Sequence, residues 1–198
     1  GNVVVLGAGV VGTNAIQMAV GLGAHVTVLD NNMARLRQLD LVFGNRIDTL
    51  YSTTHAIEQA VRHADLVVGG VLIPGAAAPK LITRAMVQSM QPGSVIVDLA
   101  AEQGGNCEAS QPGSEVVVHG VRVVAPLNLA ATIPHHASQL YAKNLANFVQ
   151  NMTKKGELQT GADDEIVRDS MLTRGGEVVA ARVREALGLL PLPAPVPA

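Results

Sequence analysis

This sequence predicts an α/β fold: a doubly wound, mostly parallel β-sheet with helices on both faces. Three observations lead there. Apolar runs of strand length alternate with segments of helical period, the pattern of successive βα units. The runs are rich in valine, as parallel strands buried on both faces require. The composition is 48% hydrophobic and 15% charged, with no tryptophan, two tyrosines and two phenylalanines, so aliphatic side chains have to build the core. A chain of 198 residues has room for one good-sized domain with an appendage.

Strands are predicted at residues 2–6, 25–29, 46–51, 65–72, 94–100 and 121–124, and helices at residues 10–22, 33–43, 54–63 and 83–90. Gly23, Gly44 and Pro92-Gly93 stand where three of these helices have to stop. Residues 114–119, Gly120 and residues 121–124 read as a β-hairpin. A long helix is expected over 136–152, then a small hairpin in which 166–172 and 177–179 flank Arg174-Gly175-Gly176, and a short helix over 181–187. Residues 191–198 hold four prolines and read as a flexible or polyproline-like tail. The expected organisation is therefore a nucleotide-type α/β domain over 1–135, a C-terminal helix and hairpin over 136–190, and the tail.

Charge and cysteine content narrow the function classes. A net charge of −2 provides no basic stripe for nucleic acid, and so few rings leave no stacking platform for single strands. Cys107 is the sole cysteine, so no internal disulfide forms and a reducing, cytoplasmic setting is the expectation. No apolar run approaches the ~18 residues of a membrane span. The chain starts directly on a strand-like run without Met, which reads as part of something longer. His135 and His136 are adjacent and so share no helix face; they read as a surface pair at a helix start, and no metal site is expected. Cys107 has no fixed histidine partner and reads as no nucleophile, while Asn106 reads as a loop-shaping residue.

The motif that carries chemistry is Gly7-Ala8-Gly9-Val10-Val11-Gly12, directly after the run Val3-Val4-Val5-Leu6 and opening a helix. Glycines alone are weak evidence. Here the strand, the helix and an acidic residue ending the next strand are all in register. Gly7 permits the tight turn, Gly9 lets a dinucleotide pyrophosphate approach the backbone, and Gly12 lets the helix pack on the sheet. Asp30 follows Gly12 by eighteen residues, where a carboxylate accepts hydrogen bonds from the adenosine ribose and repels a 2′-phosphate. The cofactor expected is NAD(H) in a Rossmann fold. Arg35, one helical turn beyond, leaves part of that selectivity open.

Longer segments carry a more specific likeness. Val71-Leu72-Ile73-Pro74-Gly75, Met90-Gln91-Pro92-Gly93-Ser94 through Ala100, and Glu102-Gln103-Gly104-Gly105-Asn106-Cys107 resemble the alanine dehydrogenases and the NAD(H)-binding component of proton-translocating NAD(P) transhydrogenase. Gly12-Thr13-Asn14, Arg35-Leu36-Arg37, Phe43-Gly44, Thr49-Leu50-Tyr51-Ser52 and the short stretch from Tyr51 to Asp65 resemble alanine dehydrogenase; transhydrogenases usually carry a longer mobile loop there. Gly105-Asn106-Cys107-Glu108, Gln111-Pro112-Gly113, Asn128-Leu129, residues 137–145 and the segment from Asp164 to Gly176 resemble transhydrogenase. Glu102 stands where alanine dehydrogenases place an active-site Asp, and this tips the sequence toward the α subunit of a transhydrogenase. That enzyme passes hydride between NADH and NADP⁺. The alternatives are the nucleotide half of an alanine dehydrogenase, which oxidatively deaminates L-alanine, and a non-enzymatic NAD(H) sensor.

The resemblance implies site residues. Gly7, Ala8, Gly9, Val10, Val11 and Gly12 would hold the pyrophosphate; Asp30, Asn31 and Arg35 would face the adenosine side, with Ser52 near the adenine. Val71 and Leu72, read as ending the fourth strand, would line the cleft, and Leu99, Asn128 and the catalytic candidate Glu102 would flank the nicotinamide. The plainer readings stay open: Val71, Leu72 and Leu99 as core, Ser52 as a helix cap, Glu102 as an exposed loop carboxylate. The resemblance also implies partners. These are an N-terminal domain of the same chain, NADP(H)-binding and membrane subunits in the transhydrogenase case, and a homodimer or larger assembly. The isolated chain is expected to lack activity.

Overall fold

The computed structural model describes residues 1–73, 75–161 and 164–192. It divides into two compact units, one from Gly1 to Leu129 and one from Ala130 onward. The expected tail lies outside the described residues from Pro193 on.

The first unit is a seven-stranded sheet: β1 (Asn2–Leu6), β2 (His25–Asp30), β3 (Ile47–Tyr51), β4 (Leu66–Gly69), β5 (Val95–Asp98), β6 (Ser114–Val118) and β7 (Val121–Ala125). Its spatial order is β3-β2-β1-β4-β5-β7-β6, parallel except for the antiparallel β6–β7 pair. Helices α1 (Val10–Gly21), α2 (Met33–Phe43), α3 (Thr54–Arg62) and α4 (Arg84–Ser89) fill the crossovers. This is the Rossmann order, with an antiparallel hairpin at its far edge. The hairpin turn places His119 and Gly120 at φ 51 and 80, as a two-residue loop of type I′ needs.

Strand alternation sends side chains to two cores. Val4 and Leu6 of β1 pack with Ile57 and Val61 of α3 and with Met86 and Val87 of α4. Val3 and Val5 face the opposite way, onto Ile16 and Ala19 of α1 and Leu36, Leu39 and Phe43 of α2. The sheet is therefore covered on both faces, and its central strands are valine-rich because neither face meets water.

Polar side chains start the helices. Asn32, Thr53 and Thr83 accept hydrogen bonds from the Arg35, Ala56 and Met86 amides and so cap α2, α3 and α4. The residue capping α3 is thus Thr53 and not Ser52. The fourth strand is shorter than the sequence predicts. Pairing with β1 and β5 ends at Gly69, and Val71 and Leu72 lie in the following loop because Asn106 captures the Val71 backbone.

In the second unit, α5 (Pro134–Met152) begins with proline in its first turn and contains no buried residue. The His135 and His136 rings meet edge to face at its start. A hairpin of β8 (Thr153–Lys154) and β9 (Glu157–Leu158) follows, then α6 (Glu165–Ser170), a hairpin of β10 (Thr173–Arg174) and β11 (Glu177–Val178), and α7 (Ala181–Ala186). The sequence reads residues 166–172 as a strand, but most of that stretch is α6. Asp164 accepts from the Val167 amide and caps a helical turn there, and the same bond holds the Asp164 carboxyl below the usual carboxylate range. No helix among the described residues is long and apolar enough to cross a membrane.

Candidate cofactor site

The chain leaves β3 at one edge and returns past β1 to form β4, so the connections after β1 and β4 diverge at a topological switch point. Crevices of this kind, outside the carboxyl ends of the strands, are where doubly wound sheets take ligands. The glycine-rich turn lies here. Gly7 takes φ +99, and its amide donates to the Leu29 carbonyl at 2.9 Å. Gly9 is the N-cap of α1 and has no side-chain capping bond, so the first amides of the helix have no side-chain partner at that end.

The glycines differ in what surrounds them. A Cβ on Gly9 would meet nothing within 4 Å, whereas one on Gly12 would lie 1.8 Å from the Gly7 carbonyl oxygen. Gly12 is required by the packing of α1 against the turn. Gly9 opens on free space beside the helix N-terminus, with Val10 80% exposed next to it. A dinucleotide pyrophosphate suits such a cradle, because oriented amides and the helix dipole favour an anion there.

Asp30 ends β2, and its half-buried carboxylate faces the turn. Oδ2 accepts from the Ala8 amide at 2.6 Å and Oδ1 from the Asn32 amide at 2.7 Å. Arg35 reaches the same turn from α2. Its Nε donates to the Ala8 carbonyl at 2.7 Å, Nη2 to Thr13 Oγ1 at 2.9 Å, and Nη1 to Gln38 Oε1 at 2.9 Å. Ser52 is half-buried just past β3, its amide donating to the Asp30 carbonyl at 3.0 Å, and Asn31 is exposed beside it. Asp30, Asn31, Arg35 and Ser52 therefore gather around the glycine-rich turn and the carboxyl ends of β2 and β3.

Past β4, the Gly70 amide donates to the Leu6 carbonyl, and the open face of Gly70 is covered by the Val11 side chain. Val71 Cγ2 lies against Gly7. Leu72 is 47% exposed and so is no core residue, while Val71 and Leu99 are half-buried.

A buried polar network builds the remaining wall. Asp98, fully buried at the end of β5, accepts from the Ala100, Asn106 and Cys107 amides at 3.2, 3.0 and 2.9 Å and from the Ser110 hydroxyl. Asn106, also fully buried, takes the Val71 amide on Oδ1 and gives Nδ2 to the Val71 and Pro79 carbonyls. Lys80 donates to the Gly104 and Cys107 carbonyls. Among the described residues no buried side-chain polar atom lacks a partner. Burial pushes the Cys107 thiol up, keeping it protonated and unsuited to attack.

The Glu102 carboxylate accepts from the Asn128 amide at 2.7 Å, and Asn128 takes φ 51. Two residues expected on the nicotinamide side thus meet. Thr13, Gln38, Asp98, Ser110 and Lys80 carry no role in the sequence reading; Gln38 meets Arg35 one helical turn away, while the others have partners distant in the chain, which leaves no local pattern to read.

The family model described as "Alanine dehydrogenase/PNT, C-terminal domain" matches residues 1–181. The chain belongs to this family. Among members and neighbours of the alanine dehydrogenase/PNT family, an alanine dehydrogenase of Halomonas elongata is 44% identical over 94% of the chain and 52% of its own length. A solved L-alanine dehydrogenase superposes with TM-score 0.83 at 38% identity, covering 95% of this chain and 53% of that one. A solved transhydrogenase from Sinorhizobium meliloti superposes with TM-score 0.78 at 39% identity, covering 90% and 52%. The chain spans about half the length of the curated relatives it matches. Its Rossmann order is that of a domain of the alanine dehydrogenase/PNT family.

Proposed function

We propose that this chain is the NAD(H)-binding half of an alanine dehydrogenase. The observation that carries the reading is that 94–98% of this chain matches about half of each of several alanine dehydrogenases at 38–44% identity. The connection between β3 and α3 points the same way. It consists of Ser52 and Thr53 alone, leaving no place for the long mobile loop expected of a transhydrogenase.

The residues present fit NAD(H). Gly7, Ala8, Gly9, Val10, Val11 and Gly12 would hold the pyrophosphate, Asp30, Asn31 and Ser52 the adenosine, and Val71, Leu72, Leu99, Glu102 and Asn128 would border the nicotinamide. The bound cofactor supplies the hydride acceptor. The chain's own residues bind and orient it: Asp30 selects a free 2′-hydroxyl, and the wall fixed by Asp98 and Asn106 sets the ring's position. A cationic clamp for the substrate carboxylate and a proton acceptor would come from the other half of the protein, the partner domain of the same chain.

Glu102 favours the second reading, the α subunit of a proton-translocating transhydrogenase. The carboxylate stands one methylene beyond the Asp expected of an alanine dehydrogenase, and a displacement of ~1 Å in a tuned site costs on the order of 10²-fold in rate. One experiment separates the two. The full-length protein is incubated with L-alanine and NAD⁺, and NADH is followed by absorbance. Alanine-dependent NADH, with pyruvate and ammonium in equal amounts, is the expected result. No turnover with alanine, together with hydride transfer from NADH to an NADP⁺-bearing partner domain, would refute the first reading.

A further inference from the structure

We propose that Arg35 and Thr13 form a brace that positions the Ala8–Gly9 backbone for the dinucleotide pyrophosphate, and that Arg35 does not itself read the ribose. This rests on the NAD(H)-binding reading above. A cation one turn beyond the ribose-binding carboxylate invites the opposite assignment, a contact to the adenosine or to a 2′-phosphate. The geometry points away from it. All three guanidinium nitrogens are engaged: Nε on the Ala8 carbonyl, Nη2 on the Thr13 hydroxyl, Nη1 on Gln38. No ion pair joins Arg35 to Asp30 within 4 Å among the described residues.

The Thr13 hydroxyl passes the contact on, donating to the Gly9 carbonyl at 2.7 Å while it accepts from Arg35. One side chain from α2 therefore holds, directly or through one hydroxyl, the carbonyls on both sides of the Gly9 Cα, the second of which also accepts the Thr13 amide at 2.9 Å. Asp30 holds the Ala8 amide from the other direction. The carbonyls are turned inward toward the brace, which leaves the amides at the start of α1 to face the crevice. A planar fork reaching two acceptors is a task for arginine and not for lysine.

Dissociation constants for NADH and for its 2′-deoxyadenosine analogue are measured by titration on the wild-type chain and on R35M, R35K, T13V and R35M/T13V, with melting curves confirming that each is folded at the assay temperature. R35M and T13V should each weaken NADH about tenfold, the scale of one charge-assisted hydrogen bond. The double variant should be no weaker than R35M, since both remove the same brace. R35K should behave as R35M does, because it keeps the charge and loses the fork. The R35M loss should be equal for NADH and the 2′-deoxy analogue.

Rescue by R35K, additive losses in the double variant, or an R35M loss that disappears with the 2′-deoxy analogue would overturn the brace. Should R35M fail to fold, T13V carries the test alone: unchanged NADH affinity overturns the proposal. Wild-type chain that binds no dinucleotide overturns the cofactor reading itself, an outcome distinct from wild-type binding with unaffected variants.

Discussion

Replacing Gly9 and Gly12 by alanine, one at a time, separates binding from folding within a single motif. In Gly12→Ala the new methyl would sit 1.8 Å from the Gly7 oxygen and 2.9 Å from its carbonyl carbon. The turn and α1 have to part by roughly 1.2 Å before the contact is tolerable, an overpacking that costs about 1–3 kcal/mol. Alanine's better helix propensity returns about 0.5–1 kcal/mol of this. The net loss, up to about 2.5 kcal/mol, lowers the melting temperature by up to about 10 °C, and NADH affinity falls with it because the cradle is displaced. In Gly9→Ala the methyl meets nothing within 4 Å, and the backbone at φ −70 suits any residue. The melting temperature should stay within about 2 °C. The methyl nevertheless occupies the space that the pyrophosphate enters, so NADH binding should weaken at least about tenfold. Differential scanning fluorimetry and NADH titration give both numbers. A Gly9→Ala chain that binds NADH like wild type would refute the placement of the pyrophosphate, and a Gly12→Ala chain of unchanged stability and affinity would refute the packing argument.

Asp30→Ala should weaken NADH and raise the NADPH-to-NADH affinity ratio, read by parallel titrations; an unchanged ratio removes the selectivity assigned to this carboxylate. Asn106→Ala strands the Val71 amide and carbonyl and should cost about 2–4 kcal/mol in a urea unfolding titration, since each buried group left unpaired is penalised in full. Stability that holds within ~0.5 kcal/mol would show that water replaces the staple. Because burial raises the Cys107 pKa, the unfolded chain ionises first as pH passes about 8.5, and stability should decline from there toward the folded value. Cys107→Ala should flatten that decline in urea midpoints compared between neutral and alkaline pH; an identical slope in both chains would exclude the thiol as its source.

The parts of the fold legible in the sequence are those written locally. Valine alternation and glycine stops place the strands and most helices, and Gly7 through Gly12 with Asp30 lie within one βαβ unit, where spacing alone defines the turn. Errors arise where distant residues intervene. The fourth strand reads on through Val71 and Leu72, but Asn106, thirty-five positions from Val71, takes the Val71 hydrogen bonds instead of the sheet. Ile166-Val167 followed by Met171-Leu172 imitates a strand, yet Asp164 supplies a cap that turns the segment helical. Glu102 and Asn128 are both legible as candidates, but their mutual hydrogen bond is not, because it joins a side chain to a backbone amide in a left-handed turn. Thr13 and Gln38 look like ordinary helix-surface residues until Arg35 is seen to join them.

Because Asp98 and Asn106 stitch two irregular segments together by way of their amides and carbonyls, the far side of the crevice is rigid without belonging to the sheet. The entropy of ordering those segments is spent when the polypeptide folds and not when a dinucleotide arrives. Side chains there can be exchanged to suit a different ring or a different second reactant while the scaffold behind them holds its shape. In a family that takes in both alanine dehydrogenase and PNT, such a stitched wall is a place where specialisation requires no change of architecture.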